Sequence, residues 1–119
     1  MIKIDETWRI FISYILVIVL VLLSSLAFGQ VIVTEFNAGW NSANNVEWIN
    51  ELNDCEIAKI DIVKDPKLQT KHKVVIVPTI IIFNDGEEVK RFQADISFKM
   101  LATREEVQEE IDNQLMSDF

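Results

Sequence analysis

The fold is decided by the stretch Val31-Ile32-Val33-Thr34-Glu35-Phe36-Asn37-Ala38-Gly39-Trp40-Asn41-Ser42-Ala43-Asn44. Its first six residues are mostly apolar and β-branched, which predicts a strand. The next three, ending in glycine, predict a turn. The remaining residues lead into a helical pattern, so the stretch predicts a strand-to-helix junction.

Helix signals follow this junction. Asn44 or Asn45 can cap a helix, because an amide oxygen accepts the first free backbone N–H groups. Trp48, Ile49 and Leu52 lie at helical spacing and are expected to face a sheet. The pattern therefore predicts an α-helix directly after the junction.

The middle of the chain predicts two more strands and a short helix. Alternating apolar residues predict a strand over Ile57–Val63. Asp65-Pro66 begins a short helix through Thr70, because proline suits a first helical turn. Ile80–Phe83 is entirely apolar, which predicts a strand buried on both faces.

A hairpin and a terminal helix complete the pattern. Asn84-Asp85-Gly86 is a strong hairpin signal, because glycine tolerates positive φ in a tight turn. Glu87–Phe92 is the return strand, expected at an edge of the sheet. Thr103 and Glu106 form a capping box at the start of the last helix. One apolar stripe follows along that helix, made of Val107, Ile111 and Leu115.

These residues resemble the thioredoxin and protein disulfide isomerase family. Residues 35–41 are similar to the family pattern acid-Phe-aromatic-Ala-x-Trp-Cys, and Ile76-Val77-Pro78-Thr79 is similar to its cis-proline loop. Asn41 and Asn44 stand where the family has its two cysteines, and Asn37 replaces an aromatic residue. The Asn-Asp-Gly hairpin follows in family order.

The resemblance implies a thioredoxin-like α/β fold of three layers. A central, mixed, four-stranded sheet is flanked by helices and preceded by an N-terminal hydrophobic helix. We expect residues 30–119 to form this domain and residues 1–29 to be a signal peptide or membrane anchor. Compared with many members of the family, the resemblance over residues 31–116 does not include the extra first strand and helix. Either this is a minimal version, or a partner supplies the missing pieces.

The family's disulfide chemistry is not expected here. Disulfide exchange requires a thiolate to attack sulfur, and the amides of Asn41 and Asn44 cannot form one. We therefore expect no catalytic residue at these degenerate motif positions and no disulfide oxidoreductase activity.

Three polar positions near the motif leave alternatives open. Glu35 matches the family's buried acid, so it is either a retained proton site or a carboxylate that points to an edge or pairs with Lys59. Asn41 and Asn44 either attract an anion or a ligand carbonyl at a helix start, or they merely cap that helix.

The proline loop implies a peptide groove. In the family, the backbone of the residue before the cis-proline pairs with an extended peptide, a form of strand addition that needs no cysteine. The alternative is that Pro78 only shapes the loop and that no peptide binds there. The candidate ligand- or peptide-binding residues are Trp40, Asn41, Val77, Pro78 and Thr79.

Two further features are open to more than one interpretation. Cys55 is either a small buried hydrophobe or the source of an intermolecular disulfide or metal contact. The connector residues Phe92, Phe98, Met100 and Leu101 either cover the core or form an apolar patch. Residues 98–101 are the best candidate for a partner surface outside the groove.

Composition speaks against several classes of partner. The formal charge of −8 lies entirely in the domain, which speaks against nucleic acid and against anionic lipid. The single His72 has no second histidine or cysteine near it in the sequence, so it is expected to be a solvated loop residue rather than a metal ligand. We expect no metal and no small-molecule cofactor.

The N-terminal segment predicts export. Residues 10–28 carry no charge, and nineteen helical residues span about 28 Å, close to the hydrocarbon thickness of a bilayer. Ala27-Phe28-Gly29 also suits cleavage before Gln30. A cleaved signal peptide and a retained anchor both remain open, and the membrane is contacted only if residues 10–28 are kept. Lys3 and Arg9 favour a domain outside the cytoplasm, in the periplasm or anchored to the inner membrane of a bacterium.

Three functional hypotheses follow. The first is a redox-inactive module that holds a peptide or protein partner, or serves as a subunit of an envelope complex. The second is an enzyme, either a one-thiol redox protein using Cys55 or a cofactor-dependent transferase of related fold. The third is a chaperone that uses the groove for many unfolded peptides.

Overall fold

The computed structural model describes residues 6–26 and 30–117, and the side chains of the first helix for residues 7–18. The elements are α1 (Glu6–Leu26), β1 (Val31–Asn37), two 3-10 helices (Gly39–Asn44 and Ile49–Glu51), β2 (Glu56–Asp61), α2 (Pro66–Lys71), β3 (Thr79–Asn84), β4 (Glu87–Gln93) and α3 (Arg104–Ser117).

The four strands form one mixed sheet in the order β2-β1-β3-β4. Strands β1 and β2 are parallel, whereas β1–β3 and β3–β4 are antiparallel. Glu35 on the central strand β1 lies opposite Lys59 on β2 and Ile80 on β3. The predicted mixed four-stranded sheet is therefore confirmed, with β4 at one edge as expected and β2 at the other.

Apolar side chains on both faces of the sheet create three layers. Alternation along β1 sends Val33 to one face and Phe36 to the other, as expected for a period of two. The first core cluster lies under the 3-10 helices and α3, and contains Val31, Val33, Val46, Ile49, Leu52, Ile80, Ile82, Val107 and Ile111. The second lies on the α2 side, and contains Phe36, Ala38, Val74, Val77 and Ile81, with Leu68 packed against it.

The local signals of the second half are confirmed. Asp85 and Gly86 adopt φ values of 53° and 83°, as a two-residue hairpin turn requires. Pro66 begins α2. The Thr103 hydroxyl accepts the Glu106 N–H at 3.2 Å just before α3. Each signal acts within a few residues, so no distant contact is needed to realise it.

The predicted α-helix after the junction is wrong. Only the 3-10 helices Gly39–Asn44 and Ile49–Glu51 occur there, and Asn41 departs from helical geometry at φ −112° and ψ 20°. The asparagines bond to one another instead of capping a helix, because their short amides compete with helical hydrogen bonds. Ile49 and Leu52 are nevertheless buried against the sheet, as expected.

His72 is not the solvated loop residue that the sequence predicts. Its ring is half-buried and lies 5.6 Å from the Phe36 ring and 5.2 Å from the Phe83 ring, measured between centroids. Burial, followed by the nearby charge of Lys71, lowers the pKa of His72. The ring therefore extends the second core cluster.

The N-terminal helix predicted before the domain is present as α1. Across residues 6–26 and 30–117, no helix combines the length and the hydrophobicity of a membrane span. Residues 27–29, where the cleavage site is predicted, lie outside the described residues. The signal peptide and the anchor both stay predictions.

Candidate functional site

The motif segment, residues 37–45, begins at the last residue of β1 and lies beside the proline loop. The Val77–Pro78 peptide bond is cis, as the resemblance implies. The two neighbours Trp40 and Asn41 have opposite environments: the Trp40 side chain is 65% exposed, whereas Asn41 is 5% exposed. The short 3-10 helix produces this alternation by turning one side chain outward and the next one inward.

The Asn41 amide is the centre of a hydrogen-bond network. Its Nδ2 donates to Asn37 Oδ1 at 3.1 Å, to the Phe98 carbonyl at 3.2 Å and to the Val77 carbonyl at 3.5 Å. Its Oδ1 accepts Asn44 Nδ2 at 2.8 Å. Asn41 therefore ties the motif segment to the proline loop and to the connector after β4.

The other asparagines complete this network. Asn37 Nδ2 donates to the Asn41 carbonyl at 3.3 Å and to Asn45 Oδ1. Burying an amide is unfavourable unless its hydrogen bonds are made, and here the four asparagines satisfy one another. The structure thus gives both motif positions a structural role, and the predicted helix cap at Asn44 or Asn45 is wrong because no α-helix begins there. Anion or carbonyl binding at Asn41 and Asn44 stays a prediction.

The connector, residues 94–102, supplies one wall of the site. Phe98 has φ of 62°, its carbonyl accepts the Asn41 amide, and its ring meets Trp40 edge-on with centroids 5.3 Å apart. Asp95 Oδ1 accepts the N–H groups of Ser97 and Lys99 and shapes the turn that holds Phe98 in place. The Asp95 hydrogen bonds, led by the Ser97 hydroxyl, lower its pKa.

Some connector side chains cover the core, and others are exposed, so both predicted roles occur. Phe92 and Met100 pack against the first core cluster, whereas Phe98 and Leu101 are exposed. Ile96 is 94% exposed, close to Phe98 in the sequence. Part of the predicted partner surface therefore belongs to the core.

The predicted groove residues differ in what they expose. Val77, Pro78 and Thr79 are buried, and the Thr79 hydroxyl donates inward to the Ile76 carbonyl at 2.6 Å. Trp40 presents the large exposed surface. The sequence names Asn37, Asn45 and Phe98 but does not predict that they form one network with Asn41. The available signal was the cluster of four asparagines within nine residues.

Glu35 is buried, which corrects the expectation that it points to an edge. It is 3% exposed, and its Oε2 accepts the Val46 N–H at 2.7 Å. Lys59 lies opposite in register, but among the described residues the two charged groups form no ion pair. Burial raises the pKa of Glu35, while the Val46 hydrogen bond and the charge of Lys59 partly oppose this.

Cys55 lies at the opposite end of the sheet from the motif. Because β1 and β2 are parallel, the start of β2 lies beside Ile32, whereas the motif follows the end of β1. The thiol is half-buried against the first core cluster, which agrees with the interpretation as a small buried hydrophobe. Burial and the neighbouring Asp54 charge raise its pKa.

Curated relatives match a short part of this chain. A thioredoxin from the Arabidopsis thaliana chloroplast, thioredoxin Y1, is 39% identical over 49 residues, covering 41% of this chain and 28% of its own. The thioredoxin of Mycobacterium tuberculosis is 42% identical over 38 residues, covering 32% and 33%. The aligned segments thus span about a third or less of the length of these curated relatives.

Solved thioredoxin structures match most of the domain. A mutant thioredoxin from Halobacterium salinarum superposes with a TM-score of 0.60 at 26% identity, covering 73% of this chain and 76% of that one. The Fasciola hepatica thioredoxin gives a TM-score of 0.55 at 30% identity, covering 80% and 90%.

The thioredoxin family model matches a large part of the chain. It aligns with residues 29–109, which include the motif segment, the proline loop and the hairpin. This range is more than half of the 119-residue chain. The chain therefore belongs to the thioredoxin family.

Proposed function

We propose that this domain is a binding module without dithiol activity. It holds an extended peptide or a protein partner at the surface made by Trp40, the Val77–Pro78 loop and Phe98. The observation that carries the proposal is the Asn41 amide, which fills the position of the nucleophile and joins the walls of the site through hydrogen bonds.

The chemistry of sulfur supports the redox part of the proposal. The single thiol, Cys55, lies at the other end of the sheet from the proline loop, and burial, together with the Asp54 charge, raises its pKa and so disfavours the thiolate. A thiol reacts as the thiolate, in an electropositive and exposed setting. Asp54 and Glu56 instead surround Cys55 with negative charge.

An insulin-reduction assay tests this part. The wild-type chain is expected to show no turnover with dithiothreitol beyond the uncatalysed rate. A double variant, Asn41→Cys with Asn44→Cys, is the matched positive control, because it restores the family's pair of thiols. Wild-type turnover that disappears in Cys55→Ser would instead support a one-thiol enzyme.

The exposed apolar surface supports the binding part. Large exposed hydrophobic side chains gathered in one place mark interaction sites. Trp40 and Phe98 touch each other, and the loop and connector on either side carry Val75 and Ile96, both highly exposed. The family's mode of strand addition at the proline loop provides the backbone contacts that such a surface would accompany.

Purification of the tagged full chain from native membranes in mild detergent tests the binding part. We expect a defined protein to co-purify with the wild type, to be lost with Trp40→Ala and to be retained with Met116→Ala. Met116 is a suitable control because it is also an exposed apolar residue but lies on α3. Equal capture by all three chains would contradict a role for the groove.

A chaperone is the second candidate, favoured by the amount of apolar surface. Val75, Ile96 and Leu101 are all exposed in addition to Trp40. Binding to several unrelated unfolded peptides separates the two candidates. Similar affinity for all of them supports the chaperone, whereas submicromolar affinity for one partner alone supports the specific module.

We also place the module outside the cytoplasm. The support is the uncharged stretch 10–28 after Lys3 and Arg9. N-terminal sequencing of the mature protein distinguishes cleavage, which gives Gln30 first, from a retained anchor, which gives Met1. Digestion by protease added to spheroplasts tests the location, and protection of the domain would contradict it.

A further inference from the structure

A second cavity lies under the motif segment, on the side of β1 and β2. Its volume is about 270 Å³, and it shares no lining residue with the predicted groove of Trp40, Val77, Pro78 and Thr79. Its polar lining residues are Glu35, Asn37, Ser42, Asn45, Lys59 and Asp61. The proposed binding function does not use this cavity.

Glu35 presents one carboxyl oxygen to the cavity. Its Oε2 accepts the Val46 N–H, while Oε1 has no hydrogen bond within the described residues. In the same part of the chain, Asn84 Oδ1 is the one fully enclosed side-chain oxygen without a partner. Glu35 Oε1 is therefore not fully enclosed by protein, although the residue as a whole is only 3% exposed. Glu35 is one of the residues that line the cavity.

Asp61 adds a second carboxylate to the same face. The parallel register places Glu35 beside Lys59 and Asn37 beside Asp61, so the four side chains share one face of the sheet. Asp61 Oδ1 accepts the Val63 N–H at 2.9 Å, and Oδ2 lies beneath Gly39.

Lys59 lies on the same face as the two carboxylates, but among the described residues it forms no ion pair with either. Across residues 6–26 and 30–117, the ion pairs are Arg91–Glu88 and Arg104–Glu105. The Lys59 side chain is exposed. The cavity thus carries two carboxyl groups whose free oxygens can accept further donors.

The side chains that line the cavity indicate the class of ligand. The described residues offer no group of three or more metal-ligating side chains, which speaks against a divalent metal. A planar guanidinium can donate to two acceptors at once and pairs well with carboxylates. The volume lies just below the usual range of about 300–1,000 Å³ for ligand pockets, so the ligand is small.

We propose that this cavity binds a guanidinium group between Glu35 and Asp61, with Ser42 and Asn45 as additional polar partners. The group belongs either to a free small molecule or to an arginine side chain of a bound peptide. Lys59 competes with it for the two carboxylates.

Methylguanidinium is the probe, titrated into the ¹⁵N-labelled full chain and followed by the amide signals of Gly39 and Val46. We expect saturable shifts with a roughly millimolar Kd, as befits so small a ligand. Methylurea, which is similar in shape but uncharged, is expected to produce no saturable shift. Saturation by methylurea with the same Kd would overturn the proposal.

Variants test the residues without unfolding the site. Glu35→Gln and Asp61→Asn each keep an oxygen for the backbone N–H that the wild-type carboxylate accepts. Each is expected to weaken binding about tenfold. Lys59→Met is expected to strengthen it. Glu56→Gln, an exposed change on β2 outside the cavity, is the control and leaves the Kd unchanged. An unchanged Kd in Glu35→Gln would also overturn the proposal.

A peptide arm separates the two sources of the guanidinium. Acetyl-Gly-Arg-Gly-amide is compared with the same peptide carrying citrulline, which is neutral. Tighter binding of the arginine peptide than of methylguanidinium supports a partner's side chain, and the reverse supports a free molecule. If the arginine and citrulline peptides both bind, with the same measurable Kd, the guanidinium site is contradicted.

Discussion

The two faces of the motif segment contrast sharply. Its inner face carries polar groups that are buried, with Asn41 5% exposed and Asn37 7% exposed. Its outer face carries Trp40, which is exposed and touches the exposed Phe98. Buried polar groups and exposed large apolar groups are the two departures from ordinary packing that carry information about function.

This contrast separates stability from binding. The inner amides hold three chain segments together, because Asn41 bonds to Asn37, Val77 and Phe98. The outer rings are left free to contact another molecule. Substitutions on the inner face should therefore change the free energy of unfolding, and substitutions on the outer face should change partner binding.

The largest effect is expected for Asn41→Leu. Leucine has a similar size but removes the donor shared by Asn37, Val77 and Phe98 and the acceptor of Asn44. Leaving buried polar groups without partners costs about 1–3 kcal/mol for each group, so we expect a loss of about 3 kcal/mol in the free energy of unfolding. Urea denaturation, with the midpoint and slope fitted separately, measures it.

Asn44→Ala is the matched control for this prediction. Asn44 is only half-buried and makes one bond of the network, so its loss should be about 1 kcal/mol. Equal losses in Asn41→Leu and Asn44→Ala would contradict the central position of Asn41.

The hairpin and the motif segment show what the sequence can predict. The prediction of the Asn84-Asp85-Gly86 turn is correct because glycine and aspartate determine the backbone there directly. The prediction of an α-helix after Trp40 is wrong, although Ile49 and Leu52 are correctly placed in the core. Helical spacing identifies which residues face inward, but competing amide hydrogen bonds decide the backbone between them.

The candidate site can be predicted in its chain positions but not in its contacts. Trp40, Asn41 and Pro78 follow from the resemblance, and the cis bond agrees with it. The contact of Asn41 with the Phe98 carbonyl joins residues 57 positions apart, and no local pattern reports it. The burial of Glu35 likewise depends on how residues 38–46 fold over β1.

A smaller change in the free energy of unfolding is expected when the charge of Glu35 is removed. Burial raises its pKa in the folded state above the ordinary value of 4.5, so ionisation lowers stability as the pH rises between the unfolded and folded pKa values. Lys59 and Asp61 face the same cavity. Glu35→Gln cannot ionise and keeps an oxygen for Val46.

The measurement is the free energy of unfolding of both chains from about pH 4 to about pH 8. The gain of Glu35→Gln over the wild type should be smallest at low pH, grow as the pH rises and then level off. It should stay below the loss in Asn41→Leu, because the cavity admits water to the carboxylate. A difference that is constant with pH would show that Glu35 does not titrate in this range.

The backbone conformation of Phe98 is expected to make the free energy of unfolding differ by about 0.5–1 kcal/mol between two substitutions at this position. Its φ of 62° is unfavourable for any residue with a Cβ, so Phe98→Gly should be more stable than Phe98→Ala by this amount. The same pair of substitutions at Ile96, whose φ is not positive, is the control and should favour alanine. The same order at both positions would mean that the turn does not constrain Phe98.

The smallest change in stability is expected for Trp40→Ala, and it is the sharpest test of the contrast. Trp40 is 65% exposed and its ring packs edge-on against Phe98, so the free energy of unfolding should change by less than about 0.5 kcal/mol. Partner capture should nevertheless be lost, because an exposed aromatic anchor contributes strongly to binding. Urea denaturation and co-purification are measured on the same preparation, with Met116→Ala as the control for both. A stability loss of the size seen in Asn41→Leu would show that the outer face also holds the fold together, and the separation of the two faces would fail.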